Sequence, residues 1–201
     1  MNSFMPDAHA EFPRFFAAIQ GGGLLKPWQG DVLRATHPRW VSRPYRFTGT
    51  GALLAGGRWN NPKLVPAVYL ADSIQTLNAE AEAWAKRYGW KVADLKPQTR
   101  ITVRLELQAV LDLRAPTTQA ALGVTETQLT GCDWKAEQEA DREPLTQAIG
   151  RAAFECLAEG LVAPSARHAG GANLVVFHSH RRDGTVVQAK DDASIPFVHG
   201  L

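Results

Sequence analysis

GGRWNNPKLVPAVYLADSIQTLNAEAEAW, residues 56–84, decides how the chain is read. The glycine pair Gly56-Gly57 with Arg58-Trp59-Asn60 is turn chemistry, because glycine admits backbone angles that other residues avoid. Val65 to Ala71 is an apolar run of strand length with Tyr69 inside it. Asp72 or Ser73 then caps a helix whose apolar positions are Ile74, Leu77, Ala81, Trp84 and Tyr88. Those spacings alternate three and four, so one stripe faces a core. Glu80 falls on the flank of that stripe and Glu82 points away from it. A carboxylate at the edge of a buried face, one strand and one turn from an arginine and a tyrosine, is where chemistry is expected. The plainer alternatives are a solvated or ion-paired Glu80, a core Tyr69 with its hydroxyl in water, and an Arg58 that only covers a turn.

Composition narrows the class. The chain has 201 residues, 45% hydrophobic and 21% charged, which suits one domain with a substantial core and excludes a disordered chain or coiled coil. The net charge of +2 is dispersed. The nearest basic run, His178 to Arg182, is short and followed at once by Asp183, so nucleic acid is not an expected partner. Cys132 and Cys156 belong to no paired motif and read as small apolar residues in a reducing compartment. The start of the chain lacks a charged and apolar leader, and no stretch of about 18 apolar residues could cross a bilayer. A cytoplasmic protein without a membrane partner is the expectation.

Working outward, residues 1–22 read as a helical lead-in with Phe12, Phe15, Phe16 and Ile19 on one face. A brief strand follows near Gly30 to Ala35, with Arg34 at its end. From His37 to Gly51 the proline, glycine and aromatic content indicates an ordered loop. Ile101, Val103, Leu105 and Leu107 alternate cleanly and mark the clearest half-buried strand, which Val110 to Leu113 either extends or follows. Short helices are expected from Thr117 to Glu139. A longer helix is expected from Pro144 to Glu159, stopped by Gly160. Leu161–Ser165, Asn173–Phe177 and Thr185–Gln188 complete the strands. Helices and strands intermingle without regular alternation, so the class is α+β.

Several motifs fail on inspection. Gly51 to Gly56 frames a phosphate loop, but Gly57-Arg58 stands where Lys-Ser/Thr is needed. Gly49-Thr50-Gly51 carries Leu54 at the third glycine of a dinucleotide fingerprint. Ser165 lacks the glycine flanks of a nucleophile elbow. His178 and His180 alternate along a strand end without a visible third ligand, so no metal is expected.

What survives resembles the RES domain, a bacterial toxin family named for an arginine, a glutamate and a serine. The resemblance rests on Leu33-Arg34-Ala35, Gly57-Arg58-Trp59-Asn60, Val68-Tyr69-Leu70-Ala71, Ala79-Glu80, Ala163-Pro164-Ser165 and Gly171 to Phe177. Arg58, Tyr69 and Glu80 fall at intervals of 11. The segments between Arg34 and Arg58 and between Lys91 and Glu143 contribute little. The chain then divides into a lead-in (1–30), the RES domain (31–190) and a tail (191–201). The resemblance implies an ADP-ribosyltransferase-like mixed β core with flanking helices and NAD as the consumed substrate. It also implies an antitoxin partner bearing an Xre-like helix-turn-helix domain. ADP-ribose would pass to water, to phosphate, or to a protein of nucleotide synthesis.

The residue types fit that chemistry. Cleaving the nicotinamide–ribose bond builds positive charge on the sugar, which Glu80 would stabilise, or it would orient the acceptor. Arg34 and Arg58 suit the pyrophosphate, since a guanidinium fork matches phosphate oxygens. Tyr69 offers a face to the cationic nicotinamide. Ser165 would bond the ribose, a neighbouring arginine or Glu80. Competing expectations are a non-catalytic nucleotide-binding module and a metal hydrolase built on His178 and His180.

Overall fold

The alternation at Ile101–Leu107 becomes the middle of β3 (Thr99–Asp112) in a computed structural model that describes residues 7–36, 47–87, 89–91, 95 and 99–196. The part of the expected loop at 37–46, Tyr88 of the helix stripe and residues 197–201 of the tail lie outside the described residues. β3 includes Val110 and Leu111 without a break. It is long enough to pair along one edge with β1 (Leu25–Thr36) and, in succession along the other, with β6 (Val186–Pro196) and β4 (Gly160–Pro164). β1 is thus longer than the brief strand expected, because β3 supplies a partner along its whole length.

β2 (Val68–Ala71) and β5 (Ala172–Val176) complete the ring, in the pairings β1–β2–β5–β4–β3 and back to β1. Among the described strands, β3 and β4 are the one parallel pair. The closing pair is weak: β1 and β2 share the single partnership Leu33↔Ala71.

The two-residue period of the strands divides the apolar side chains between two cores. Val32, Val68, Leu70, Val103, Leu105, Val162, Leu174 and Val176 fill the inside of the ring. Leu161, Ala163, Val175 and Phe177 face outward and meet α1 (Phe12–Gln20) and α7 (Leu145–Glu155). The intervening chain forms α4 (Pro116–Leu122), α5 (Glu126–Gly131) and α6 (Trp134–Glu139), the short helices expected there.

Three local readings change. α2 (Thr50–Ala55) replaces the end of the expected loop, and Gly49 before it has φ +69° with Ala67 N only 2.7 Å from where a Cβ would stand. α7 stops at Glu155 rather than at Gly160, because Gly160 opens β4 against the Val175 carbonyl with no room for a side chain. On α3 (Ile74–Arg87) the buried positions are Thr76, Leu77 and Ala85, while Trp84 is 48% exposed and meets Trp90 edge-on at 5.3 Å.

A buried ion pair locks α7 to the lead-in. Arg151 donates from Nε and Nη2 to the two oxygens of Glu143, each at 2.7 Å. The same carboxylate accepts from His9 N at 3.0 Å and Asn61 Nδ2 at 2.7 Å, and the Arg151 guanidinium lies 3.3 Å from the Phe12 ring centroid. Burial pushes the Glu143 carboxyl up, but the Arg151 fork, the His9 amide and the Asn61 amide outweigh it and hold the group below the usual carboxylate range. Its contribution is therefore present above the unfolded-state pKa and lost as pH falls through the lower folded value. Glu143→Gln should cost about 3 kcal/mol in urea unfolding at pH 7. The difference from the parent should shrink below about pH 4.

Candidate active site

Ser73 caps α3: its Oγ accepts from Thr76 N at 3.1 Å. Glu80, two turns along, is half-buried over the ends of β4 and β5. Its Oε1 accepts from Ser165 Oγ and from Asn173 Nδ2, both at 2.7 Å. Ala163 pairs with Asn173 across β4 and β5, and Ser165 lies two residues on, so the strand period presents both donors on one face. Ser165 Oγ also accepts from Arg167 N at 3.1 Å and His168 N at 3.2 Å, so its own proton is committed to the carboxylate. Oε2 takes no hydrogen bond from a described residue, which leaves one charged oxygen for a ligand.

The two arginines are positioned differently. Arg34 donates from Nη1 to the Tyr69 carbonyl at 3.1 Å, an oxygen on the edge of β2 that faces β1 beyond their single paired position. Its Nε is buried without a partner among the described residues, and burial pulls the guanidinium down to about 10. It stays charged at neutral pH. Arg58 reaches the other way and donates from Nη1 to Leu129 O at 3.1 Å and Cys132 O at 3.0 Å, at the end of α5. Burial is the main cause lowering its pKa, and Glu80 opposes that, so the two side chains lie within electrostatic reach.

Tyr69 has its hydroxyl engaged on both sides. It accepts from Trp59 N at 2.9 Å and donates to Asn60 Oδ1 at 2.8 Å. Asn60 in turn donates to Ala52 O and Val65 O. Gly57 and Asn60 close the expected turn by exchanging backbone bonds, and a Cβ on Gly57 would stand 2.5 Å from the Tyr69 hydroxyl. Burial drives the phenol far above its ordinary pKa, so it remains protonated. The hydroxyl is therefore committed to the turn.

Behind Glu80 a polar cluster fixes the turn after β4. Thr76 Oγ1 donates to Asp72 Oδ1 at 2.7 Å and touches Ser73 Oγ and His168 Nδ1, both at 2.9 Å. With its proton given to Asp72, Thr76 must accept from His168 Nδ1, which sets the imidazole tautomer. Asp72 Oδ2 accepts from Ala172 N at 2.9 Å. The choice between Asp72 and Ser73 is resolved: Ser73 caps, and Asp72 ties α3 to β5.

The structure thus brings Arg34, Arg58, Tyr69, Glu80 and Ser165 around one region. Of the roles open to Ser165, it bonds Glu80. Sequence reasoning missed Asn173, whose amide in an otherwise apolar strand was the available signal, and the Asn60 side chain that anchors Tyr69. His178 and His180 form a 3-10 turn rather than a strand end, and His180 stacks on Phe154 at 4.0 Å. Among the described residues no group of three or more His, Cys, Asp or Glu is arranged to hold a metal.

The RES domain model matches residues 31–198. NAD(+) phosphorylase MbcT of Mycobacterium tuberculosis, and likewise that of Mycobacterium bovis, is 35% identical over 147 residues, covering 68% of this chain and 73% of theirs. The crystal structure of the M. tuberculosis MbcT–MbcA toxin–antitoxin complex contains a chain of TM-score 0.68 and 29% identity, with 90% of this chain and 91% of that one covered.

Tyr69→Phe keeps the ring and removes the hydroxyl, leaving Trp59 N–H without its acceptor. It should lower stability by about 1–3 kcal/mol in urea unfolding. A loss below about 0.5 kcal/mol would mean that the hydroxyl does not anchor the turn.

Proposed function

The chain belongs to the RES domain family, and on that premise we propose that it is an NAD-consuming toxin that cleaves the nicotinamide–ribose bond and passes ADP-ribose to water or phosphate. The observation that carries the reading is the Glu80 carboxylate clamped by Ser165 and Asn173 with its other oxygen uncommitted among the described residues. A fixed anion beside a sugar that becomes cationic stabilises the transition state more than the ground state. Because its donors are already in place, little reorganisation is required during bond breaking.

The cations suit a dinucleotide. Among the described residues the buried Nε of Arg34 has no partner, and a pyrophosphate oxygen is an acceptor that suits such a donor. Arg58 is oriented by two carbonyls and would take the same phosphates from the opposite side. Tyr69 would contribute its ring face to the nicotinamide. The likeness to a phosphorylase and to a toxin solved with its antitoxin supports both activity and partner. That partner would carry an Xre-like helix-turn-helix domain. An NAD-consuming role puts the protein in the cytoplasm, where it would deplete NAD and arrest growth.

The acceptor defines the second reading, transfer of ADP-ribose to a nucleotide-synthesis enzyme; a module that binds NAD without turnover is the third. Incubation with NAD labelled in the adenine separates them: label should remain in small molecules as free nicotinamide accumulates. Label entering a protein band would favour the second reading, and intact NAD the third. Glu80→Gln should lower the rate of nicotinamide release by about a hundredfold or more. It should also abolish growth arrest on expression. An equally toxic variant would remove Glu80 from the chemistry.

A further inference from the structure

Asp72, Thr76 and Glu80 follow one another at intervals of four across the start of α3, about one helical turn apart, so they line one flank. Each reaches the connection between β4 and β5. Asp72 donates from its N–H to Ala172 O at 3.0 Å and accepts from Ala172 N through Oδ2 at 2.9 Å. Thr76 meets His168 Nδ1 at 2.9 Å, and Glu80 takes Ser165 at 2.7 Å. The partners run backwards along the chain, Ala172, His168, then Ser165, so helix and connection lie antiparallel and are joined at three points.

Thr76 is the centre of that seam. It is fully buried, and its hydroxyl has a full complement of bonds. The proton goes to Asp72, while Ser73 and His168 occupy the two lone pairs. His168 holds the turn at three places. Its Nδ1–H goes to Thr76, its backbone N–H to Ser165 Oγ at 3.2 Å, and its carbonyl accepts from Gly171 N at 3.0 Å. Gly171 O in turn accepts from Ser165 N at 2.8 Å. A Cβ on Gly171 would overlap both Thr76 Oγ1 and His168 Nδ1, so nothing larger than glycine fits over their bond. Without that bond the buried Thr76 hydroxyl would lose a donor. The turn would then lean on the very Ser165–Glu80 contact that it orients.

We propose that His168 is a positioning residue for Glu80: held in its Nδ1–H form by Thr76 and Asp72, it sets the turn from which Ser165 fixes the carboxylate. The kinetic consequence rests on the NAD-cleaving reading, whereas the clamp rests on geometry alone. His168 acts through Ser165, so its effect belongs to bond breaking, when the carboxylate faces a sugar becoming cationic, and not to capture of the dinucleotide. What the turn needs from residue 168 is a donor at one place. An asparagine amide nitrogen stands where Nδ1 does, on the same Cγ, whereas a glutamine amide nitrogen stands nearer to Nε2.

The test is the rate of nicotinamide release by the full chain with NAD varied, for the parent, His168→Ala, His168→Gln and His168→Asn. His168→Ala and His168→Gln should lower kcat about tenfold or more while KM for NAD changes by less than about twofold, and His168→Asn should recover most of the loss. In the Glu80→Gln background His168→Ala should cost nothing further, since the group it acts through is gone. An asparagine variant as slow as the alanine one, a rise in KM that accounts for the loss, or a loss that multiplies with that of Glu80→Gln overturns the proposal. Nitrogen NMR of isotope-labelled histidine reads the clamp without turnover: neutral His168 should carry its proton on Nδ1 in the parent and lose that preference in Thr76→Val. A neutral His168 protonated on Nε2 in the parent overturns the clamp. A parent that releases no nicotinamide overturns instead the NAD-cleaving reading, and the NMR result then decides the clamp by itself.

Discussion

Two hydrogen bonds of 2.7 Å hold one oxygen of Glu80, one from a serine just past β4 and one from an asparagine in β5. They depend on three elements meeting in register: a helix that brings the carboxylate down, and two antiparallel strands that present donors on the same face. α3 is itself tied to those strands, because Asp72 accepts from the Ala172 amide and Thr76 meets His168. Each tie limits the rotation of a half-buried carboxylate, so that its donors are in place before any ligand arrives.

The same constraint explains the open seam of the ring. β1 and β2 pair at one position only, and just past it Arg34 bonds the carbonyl of Tyr69 across the gap. A longer ladder would satisfy that carbonyl with backbone and bury the region where the guanidinium lies. The strands instead separate, and a cation occupies the seam between them. Among the described residues its Nε has no partner, as the second oxygen of Glu80 has none.

Much of this was legible in residues 56–84 and in the alternation of Ile101 to Leu107, because periodicity reports directly on which face is buried. The α+β class, the turn at Gly57–Asn60, the short helices after Pro116 and the placing of Glu80 on a helix flank follow from such patterns. The spacing of Trp84 predicts a core position, yet it is exposed, while Thr76 is buried. A hydroxyl enters the interior when its bonds are met, and those partners, Asp72 and His168, come from distant parts of the chain that no local period reveals. The sequence points to the ring of Tyr69, whereas its hydroxyl anchors a turn ten residues earlier. Asn173 stands out as an amide in an otherwise apolar strand, but its meeting with Glu80 is a tertiary contact that no local pattern reveals.

In the proposed function Glu80, Arg34 and Arg58 enclose a single dinucleotide. A crystal structure of the Glu80→Gln variant with NAD tests it most directly. The anomeric carbon of the nicotinamide riboside is expected against residue 80, the pyrophosphate between Arg34 and Arg58, and the nicotinamide on the face of Tyr69. A nucleotide bound elsewhere, with the Arg34 Nε still lacking an acceptor, would contradict it.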